Sequence, residues 1–348
     1  MHQTFHPAQI HEHAKIADIG HLAAHQVAGL YATPALQGSS GDVGPLGGQL
    51  LAGKPLSYNN VLDASAAAAL GRSLRGPACV IVKHTNPCGA AERGALLAAW
   101  RDALAGDPVS AFGGVVALTR EVTEDVAEAL AAIFLEIVVA PAYSRAAREI
   151  LAAKPGLRLV VDELLDETRG AGEDPEAPDA ARRARKTAGP DPLGAFRTAG
   201  GAVLVTAPDV TPDDPETWTV ATARSPRPDE VRDLDLAWRL VRAVTSNAIV
   251  LVKGGMLVGL GSGQTSRVDA ARQAVEKARA LLGPESLAGA ACASDAFFPF
   301  PDAVQVCLDA GVTSFVQPGG SVRDAEAITA ADAAGAAMVT TGFRHFRH

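Results

Sequence analysis

The sequence predicts an α/β layered fold with a mostly parallel sheet, laid out in two consecutive halves. Short apolar runs bounded by turn residues alternate with longer amphipathic or alanine-rich stretches, the rhythm of strands interleaved with helices. That rhythm occurs on both sides of a stretch at 165–195 rich in Pro, Gly and mixed charge. Aromatic residues make up only 5% of the 348 positions while glycine alone numbers 34, a composition that lets helices sit close on strands.

Taken in order, residues 1–54 are polar, His-rich and then Gly-rich, and read as an irregular entry segment. A first α/β subdomain is expected over 55–164. Ala64–Leu74 suits a helix. Ala78–Lys83 is a continuous apolar run between Pro77 and the turn-like string Asn86–Gly89, hence a buried strand. Leu96–Leu104 reads as helix, Gly114–Leu118 as strand and Val122–Ile133 as helix; strand Ile137–Ala140 is stopped by Pro141, and helix Arg145–Ala153 follows. Residues 165–200 read as a connector or small subdomain. The second α/β subdomain, 201–348, begins with strands Val203–Thr206 and Trp218–Ala221, helix Asp229–Val244 and strand Ala248–Val252. A glycine-rich turn leads to helix Val268–Leu282, strand Ala290–Ala293, helix Ala303–Ala310, strand Thr313–Gln317, helix Asp324–Ala334 and strand Ala337–Thr340. No residue-level repeat is evident between the halves.

Composition narrows the function. Hydrophobic residues at 48% and charged residues at 20% exclude wholesale disorder. With 31 Lys plus Arg against 39 Asp plus Glu, no broad basic face is expected, so nucleic acid is not the expected partner, although one basic pocket for a small phosphate is compatible. The apolar stretches are too short or interrupted to span a bilayer, and the first fifteen residues lack the apolar core of a signal peptide. Cys79, Cys88, Cys292 and Cys307 form no close pair in sequence, which reads as reduced thiols in a cytoplasmic protein.

Several strings carry chemistry. Gly48–Lys54 has the spacing of a phosphate loop but is followed by Pro55 and reads as a polar turn. Gly259, Gly261 and Gly263, with Gln264, Ser266 and Arg267 opening a helix, suit either an anion site or a capped helix with a surface arginine. Cys88 matches half of a zinc-deaminase signature whose second cysteine is replaced by Ala91. Lys83–His84 sits at the carboxyl end of a buried strand, where α/β sheets bind ligands. Apolar burial and the neighbouring ammonium should both keep the imidazole a neutral base. Ser294–Asp302 sets three of ten phenylalanines beside two carboxylates, as in a ligand pocket, and Gln317–Asp324 reads as a further anion cradle.

Together KHTNPCG (83–89), DPVSAFGG (107–114), SNAIV (246–250), GSGQTSR (261–267), SDAFFPF (294–300), QPGGSVRD (317–324) and RHFRH (344–348) resemble the AICAR transformylase domain of the bifunctional purine-biosynthesis protein, whose second activity is inosine monophosphate cyclohydrolase. The matches run from about Pro55 to His348. The resemblance implies two cytidine-deaminase-like α/β/α layered subdomains with a smaller inserted one and no zinc, in keeping with Ala91. It implies formyl transfer from 10-formyltetrahydrofolate, as co-substrate, to the 5-amino group of AICAR ribotide, with no metal in the chemistry. It also implies a homodimer with interfacial active sites. The family's amino-terminal cyclohydrolase domain has no counterpart in these residues, so a separate cyclohydrolase is implied.

Residue by residue, Lys83 and His84 match the catalytic pair, His84 as base and Lys83 beside the formyl oxygen, and Asn247 matches the asparagine that holds substrate and formyl group in register. Gly113, Glu136, Arg267, Phe297 and Arg344 match nucleotide-contacting positions, and Asp302 an acidic residue of the folate side. The family's Arg-Tyr-Gly-Glu-Asn-Pro-His-Gln string falls here on Asp18–Gln26, where the Arg and Tyr have no counterpart, and Pro301 replaces a usual arginine. Either Lys15 or His21 then helps to hold the phosphate, or the enzyme tolerates weak nucleotide binding, or Arg267 and Arg344 suffice. Two rival readings follow: a nucleotide-binding paralogue that has lost turnover and serves as a sensor or interaction protein, and a formyltransferase using formate with ATP.

Overall fold

In a computed structural model, residues 14–21, 27–32, 49–166, 195–207, 209, 211 and 214–348 are described. The connector expected at 165–200 falls largely outside them, as do residues 22–26 of the divergent Asp18–Gln26 string. Lys15 and His21 lie in a described strand whose side chains are not.

The entry segment is not irregular throughout. Strands β1 (Ala14–His21) and β2 (Val27–Ala32) pair antiparallel, and β3 (Gln49–Ala52) runs through the supposed polar turn at 48–54. Next come α1 (Tyr58–Ser73), β4 (Ala78–Lys83), β5 (Asn86–Glu92), α2 (Leu96–Gly106), α3 (Pro108–Ala111), β6 (Gly114–Leu118), α4 (Glu124–Ala131), β7 (Leu135–Ala140), α5 (Arg145–Ala152) and β8 (Arg158–Val161). A separate exposed hairpin, β9 (Ala195–Ala199) with β10 (Ala202–Thr206), takes up the run expected to open the second half. The chain continues with β11 (Thr219–Val220), α6 (Pro228–Val241), β12 (Ile249–Lys253), β13 (Met256–Gly261), α7 (Arg267–Leu282), β14 (Ala291–Ser294), α8 (Asp302–Asp309), β15 (Ser314–Gln317), α9 (Asp324–Ala333) and β16 (Ala337–Thr340). Among the described residues no helix is long and apolar enough to cross a membrane.

Twelve strands form one sheet in the order β11-β16-β15-β14-β12-β13-β5-β4-β6-β7-β8-β3. It is mixed, not mostly parallel: only β6-β7-β8 and β14-β15-β16 run parallel. The reason lies in two hairpins that the apolar pattern hid. Asn86–Gly89 does not make the turn but begins strand β5, and the glycine-rich stretch before Arg267 is largely strand β13. The turn of the first hairpin is His84–Thr85, with Lys83 paired to Asn86.

Each half is therefore helix, hairpin, helix and three further strands, with an antiparallel strand, β3 or β11, at its outer edge. The halves join through β13 and β5, antiparallel with Met256 opposite Ala91, so they are related by rotation about an axis normal to the sheet. Strand side chains alternate between faces. Val80 and Val82 pack under α1 and α6 with Ala67, Leu70, Leu234 and Leu236. Cys79 and Ile81 face α2, α4 and α5, while Ile249, Leu251 and Phe315 face α7, α8 and α9. Glycine marks the closest approaches: a Cβ on Gly89 would stand 2.1 Å from the Ala103 carbonyl oxygen of α2, and one on Gly259 2.5 Å from that of Ala274 on α7.

Candidate active site

The pairing register brings the chemistry-bearing strings to one edge of the sheet. Strands β4, β13, β14, β15 and β16 end there, at Lys83, Gly261, Ser294, Gln317 and Thr340, while β5, β6, β7 and β12 begin there, at Asn86, Gly114, Leu135 and Ile249. Both halves contribute loops to this edge.

From the first half comes the β4–β5 turn. Lys83 is half-buried and its Nζ donates to the Phe112 carbonyl at 2.6 Å, beside Gly113, whose φ of 71° suits glycine. His84 is exposed at the turn, so the expected apolar burial of its imidazole is not found. His84 and Thr85 both take left-handed backbone, φ 51° and 62°, which side chains with a Cβ resist. Their amides are held by Asp63 of α1: His84 N–H donates to Oδ2 at 3.3 Å and Thr85 N–H to Oδ1 at 2.6 Å. Glu136, at the start of β7, accepts from Asn60 Nδ2 at 2.6 Å.

Asn86 ties this turn to the second half. Its Oδ1 accepts from Thr245 N–H at 2.9 Å and from the Ser262 hydroxyl at 3.1 Å, while its Nδ2 donates to the His84 carbonyl at 3.0 Å. Asn247 lies two residues beyond Thr245, after a cis Ser246–Asn247 peptide. Its Nδ2 donates to the Gln264 carbonyl at 2.9 Å, and its Oδ1 accepts from Arg267 Nη2 at 2.8 Å.

Arg267 is not a surface arginine. Only 6% of its side chain is exposed, and Nη1 donates to Ser294 Oγ at 2.8 Å and to the carboxylate of Asp295, which is fully buried. The helix it opens is capped by Ser266, whose Oγ accepts from Asp269 N–H at 3.2 Å. Gly259 and Gly261 lie in β13 under that helix and are packing positions. The anion cradle expected at Gln317–Asp324 is filled from within, since Gly320 and Ser321 donate their amides to Asp324 Oδ2 at 2.6 and 3.1 Å.

The loop after β14 divides its phenylalanines. Phe298 is core, edge-on to Phe315, and its amide donates to Gln317 Oε1 at 2.9 Å. Phe297 is half-buried, and Phe300 is exposed under Arg323. Asp302 begins α8 and is exposed. Arg344 is exposed with its guanidinium over Phe346. Phe297, Asp302 and Arg344 share the edge, yet among the described residues no hydrogen bond or ion pair joins them to Lys83 or His84.

The last residues anchor the tail here. His345 is buried against Trp238 and its amide donates to the Asp295 carbonyl at 2.9 Å. Arg347 Nη1 donates to the Thr85 carbonyl at 2.6 Å and also to the Ala243 carbonyl. Cys88 stays a packing group in β5, its thiol pushed up to about 12 by burial.

Asp63 escaped the sequence reading, and Asn86, Asp295 and Arg347 were read only as members of their strings, without these partners. A signal for Asp63 existed: it precedes Lys83 by twenty positions and Lys83 precedes Gly89 by six, and Asp233, Lys253 and Gly259 keep both spacings. The residue-level repeat is present after all.

Comparison with known proteins gives a consistent picture. The family model described as AICARFT/IMPCHase bienzyme matches residues 22–277. The bifunctional purine biosynthesis protein PurH of Myxococcus xanthus (strain DK1622) is 47% identical over 303 residues, which are 86% of this chain and 54% of that protein. The chain thus spans about half the length of the curated relative it matches.

Proposed function

Because the chain belongs to the AICARFT/IMPCHase bienzyme family, we propose that it transfers a formyl group from 10-formyltetrahydrofolate to the 5-amino group of AICAR ribotide, a step of purine biosynthesis. The observation that carries this reading is the linkage through Asn86, which sets the Lys83–His84 turn of one half against the Thr245–Asn247 segment of the other.

As the amine nitrogen bonds to the formyl carbon, negative charge collects on the formyl oxygen. Lys83 spends one of its three N–H groups on Phe112 and has two left to meet that charge. His84 takes the amine proton. The bond from the formyl carbon to N10 then breaks, and tetrahydrofolate leaves with a proton returned by His84. Asn247, immobilised by Gln264 and Arg267, orients the reacting groups. Gly113, Glu136, Phe297 and Arg344 line the nucleotide side and Asp302 the folate side. Arg267, its charge already paired with Asp295, serves the nucleotide through Asn247. The reaction as written draws on no metal.

The two halves, 55–164 and 201–348, are assigned a cytidine-deaminase-like layering with 165–200 as the smaller inserted part. A homodimer with interfacial sites is supported by the exposed Phe112–Phe134 pair beside Gly113, apolar surface that a second subunit would cover. Four free thiols suit a cytoplasmic enzyme. Ring closure to inosine monophosphate is not assigned to these residues and falls to a cyclohydrolase.

The test is spectrophotometric: tetrahydrofolate release from the folate donor, dependent on AICAR ribotide. No release above background would sink the reading. Nucleotide binding without turnover would identify the sensor instead, and turnover with formate and ATP alone would change the donor.

A further inference from the structure

The duplicated fold contains a control for its own active-site turn. At the opposite edge of the sheet, β12 and β13 are joined by Gly254–Gly255, with φ of 56° and 74°, the same two-residue left-handed turn as His84–Thr85. Asp233 of α6 accepts both glycine amides, Gly254 N–H on Oδ2 and Gly255 N–H on Oδ1, each at 2.7 Å. Lys253, the counterpart of Lys83, donates from Nζ to the Glu285 carbonyl at 3.4 Å. Carboxylate, lysine and backbone thus recur, and the copies differ in what the turn carries. Glycine enters φ > 0 freely, whereas a histidine and a β-branched threonine do so against steric resistance. A hairpin that only had to close is served by the glycine version.

Resting on the formyl-transfer reading, we infer that Asp63 is a positioning residue: its carboxylate, gripping both amides, holds the strained turn that aims the His84 imidazole. Arg347 adds a second grip on the Thr85 carbonyl. Asp233 makes the same hydrogen bonds where no reacting group depends on them.

The experiment compares Asp63→Asn, Asp233→Asn and Asp63→Asn with Thr85→Gly, all in the full chain. It reads kcat and KM for formyl transfer to AICAR ribotide, together with amide exchange at residues 84–85 and 254–255. In Asp63→Asn an amide nitrogen replaces one acceptor oxygen. It should lower kcat roughly tenfold or more with KM within about threefold, since the imidazole is lost from register while the nucleotide still binds. Asp233→Asn should leave kcat within about twofold while speeding exchange at Gly254 and Gly255. Thr85→Gly, by relieving the turn, should recover most of the kcat lost in Asp63→Asn. Equal small effects of the two aspartate variants on kcat, or no recovery with Thr85→Gly, would overturn the inference. Should Asp63→Asn not fold, Asp63→Glu, which shifts the oxygens by one methylene, must give the same loss of kcat. If the wild-type chain shows no formyl transfer, the functional reading fails separately. Exchange at His84 and Thr85 then decides, and a rate in Asp63→Asn unchanged from wild type overturns the grip itself.

Discussion

Arg267 and Asn247 are joined side chain to side chain at 2.8 Å, and the other end of the same guanidinium is sunk onto the buried Asp295. The asparagine at the site is thus held by a charge pair out of reach of water. Breaking one partner of a buried pair leaves the other charge uncompensated, which costs about 3–5 kcal/mol.

Arg267→Ala should therefore lower the urea midpoint sharply, by an amount equivalent to about 3–5 kcal/mol, and formyl transfer should fall with it. A midpoint within about 0.5 kcal/mol of wild type would show that Asp295 finds another partner.

His84→Ala separates chemistry from binding. Formyl transfer should be abolished while AICAR ribotide affinity, measured by calorimetry, stays within about tenfold, or about 1.4 kcal/mol. Full activity in this variant would remove His84 as the base.

Strand existence was legible because strands buried on both faces read as continuous apolar runs, and Ala78–Lys83 and Ala337–Thr340 emerge with the expected bounds. β5 and β13 were not legible. Gly89 in β5 and Gly259 and Gly261 in β13 imitate turns, and their true cause, a helix backbone lying against the strand, is a tertiary contact. At the site, Lys83 and His84 were legible as polar residues ending a buried strand, whereas Asn247 was marked only by the family resemblance. Asp63 was not legible locally, because it sits in an alanine-rich helix and acts on backbone amides 21 and 22 positions away; the spacing it shares with Asp233 is what marks it. Arg267 was legible as the residue that opens a helix, but its burial was not, since nothing in the local string announces Asp295 as its partner.

Glu230 gives the fold a dependence on acid. Burial alone would raise its carboxyl, but hydrogen bonds from Arg224, from the Arg227 amide and from Thr313 outweigh burial and hold it below its ordinary value of 4.5. A lowered carboxyl contributes stability that is present above 4.5 and lost as pH falls through the folded-state value. The thermal midpoint of the wild-type chain should thus drop below about pH 4.5, and Glu230→Gln should show a lower midpoint near neutrality and a shallower acid slope. Parallel slopes would rule out Glu230 as a contributor.

Gly261→Ala tests the close approach of α7. The added Cβ would stand 1.9 Å from the Ala270 carbonyl oxygen, so helix or strand must shift. A loss of about 1–3 kcal/mol is expected by chemical denaturation, and an unchanged midpoint would show that α7 can ride outward freely.

The rotation that relates the halves runs through the middle of the sheet, so each edge receives one hairpin turn and the other half's strand ends. Were the halves identical chains assembled in pairs, any side chain placed in a left-handed turn would appear at both edges, and its steric penalty would be incurred twice. Linking them in one polypeptide makes the edges independently mutable. One turn could take up histidine and threonine while the other kept its glycines, so the molecule bears the distortion of its chemistry once.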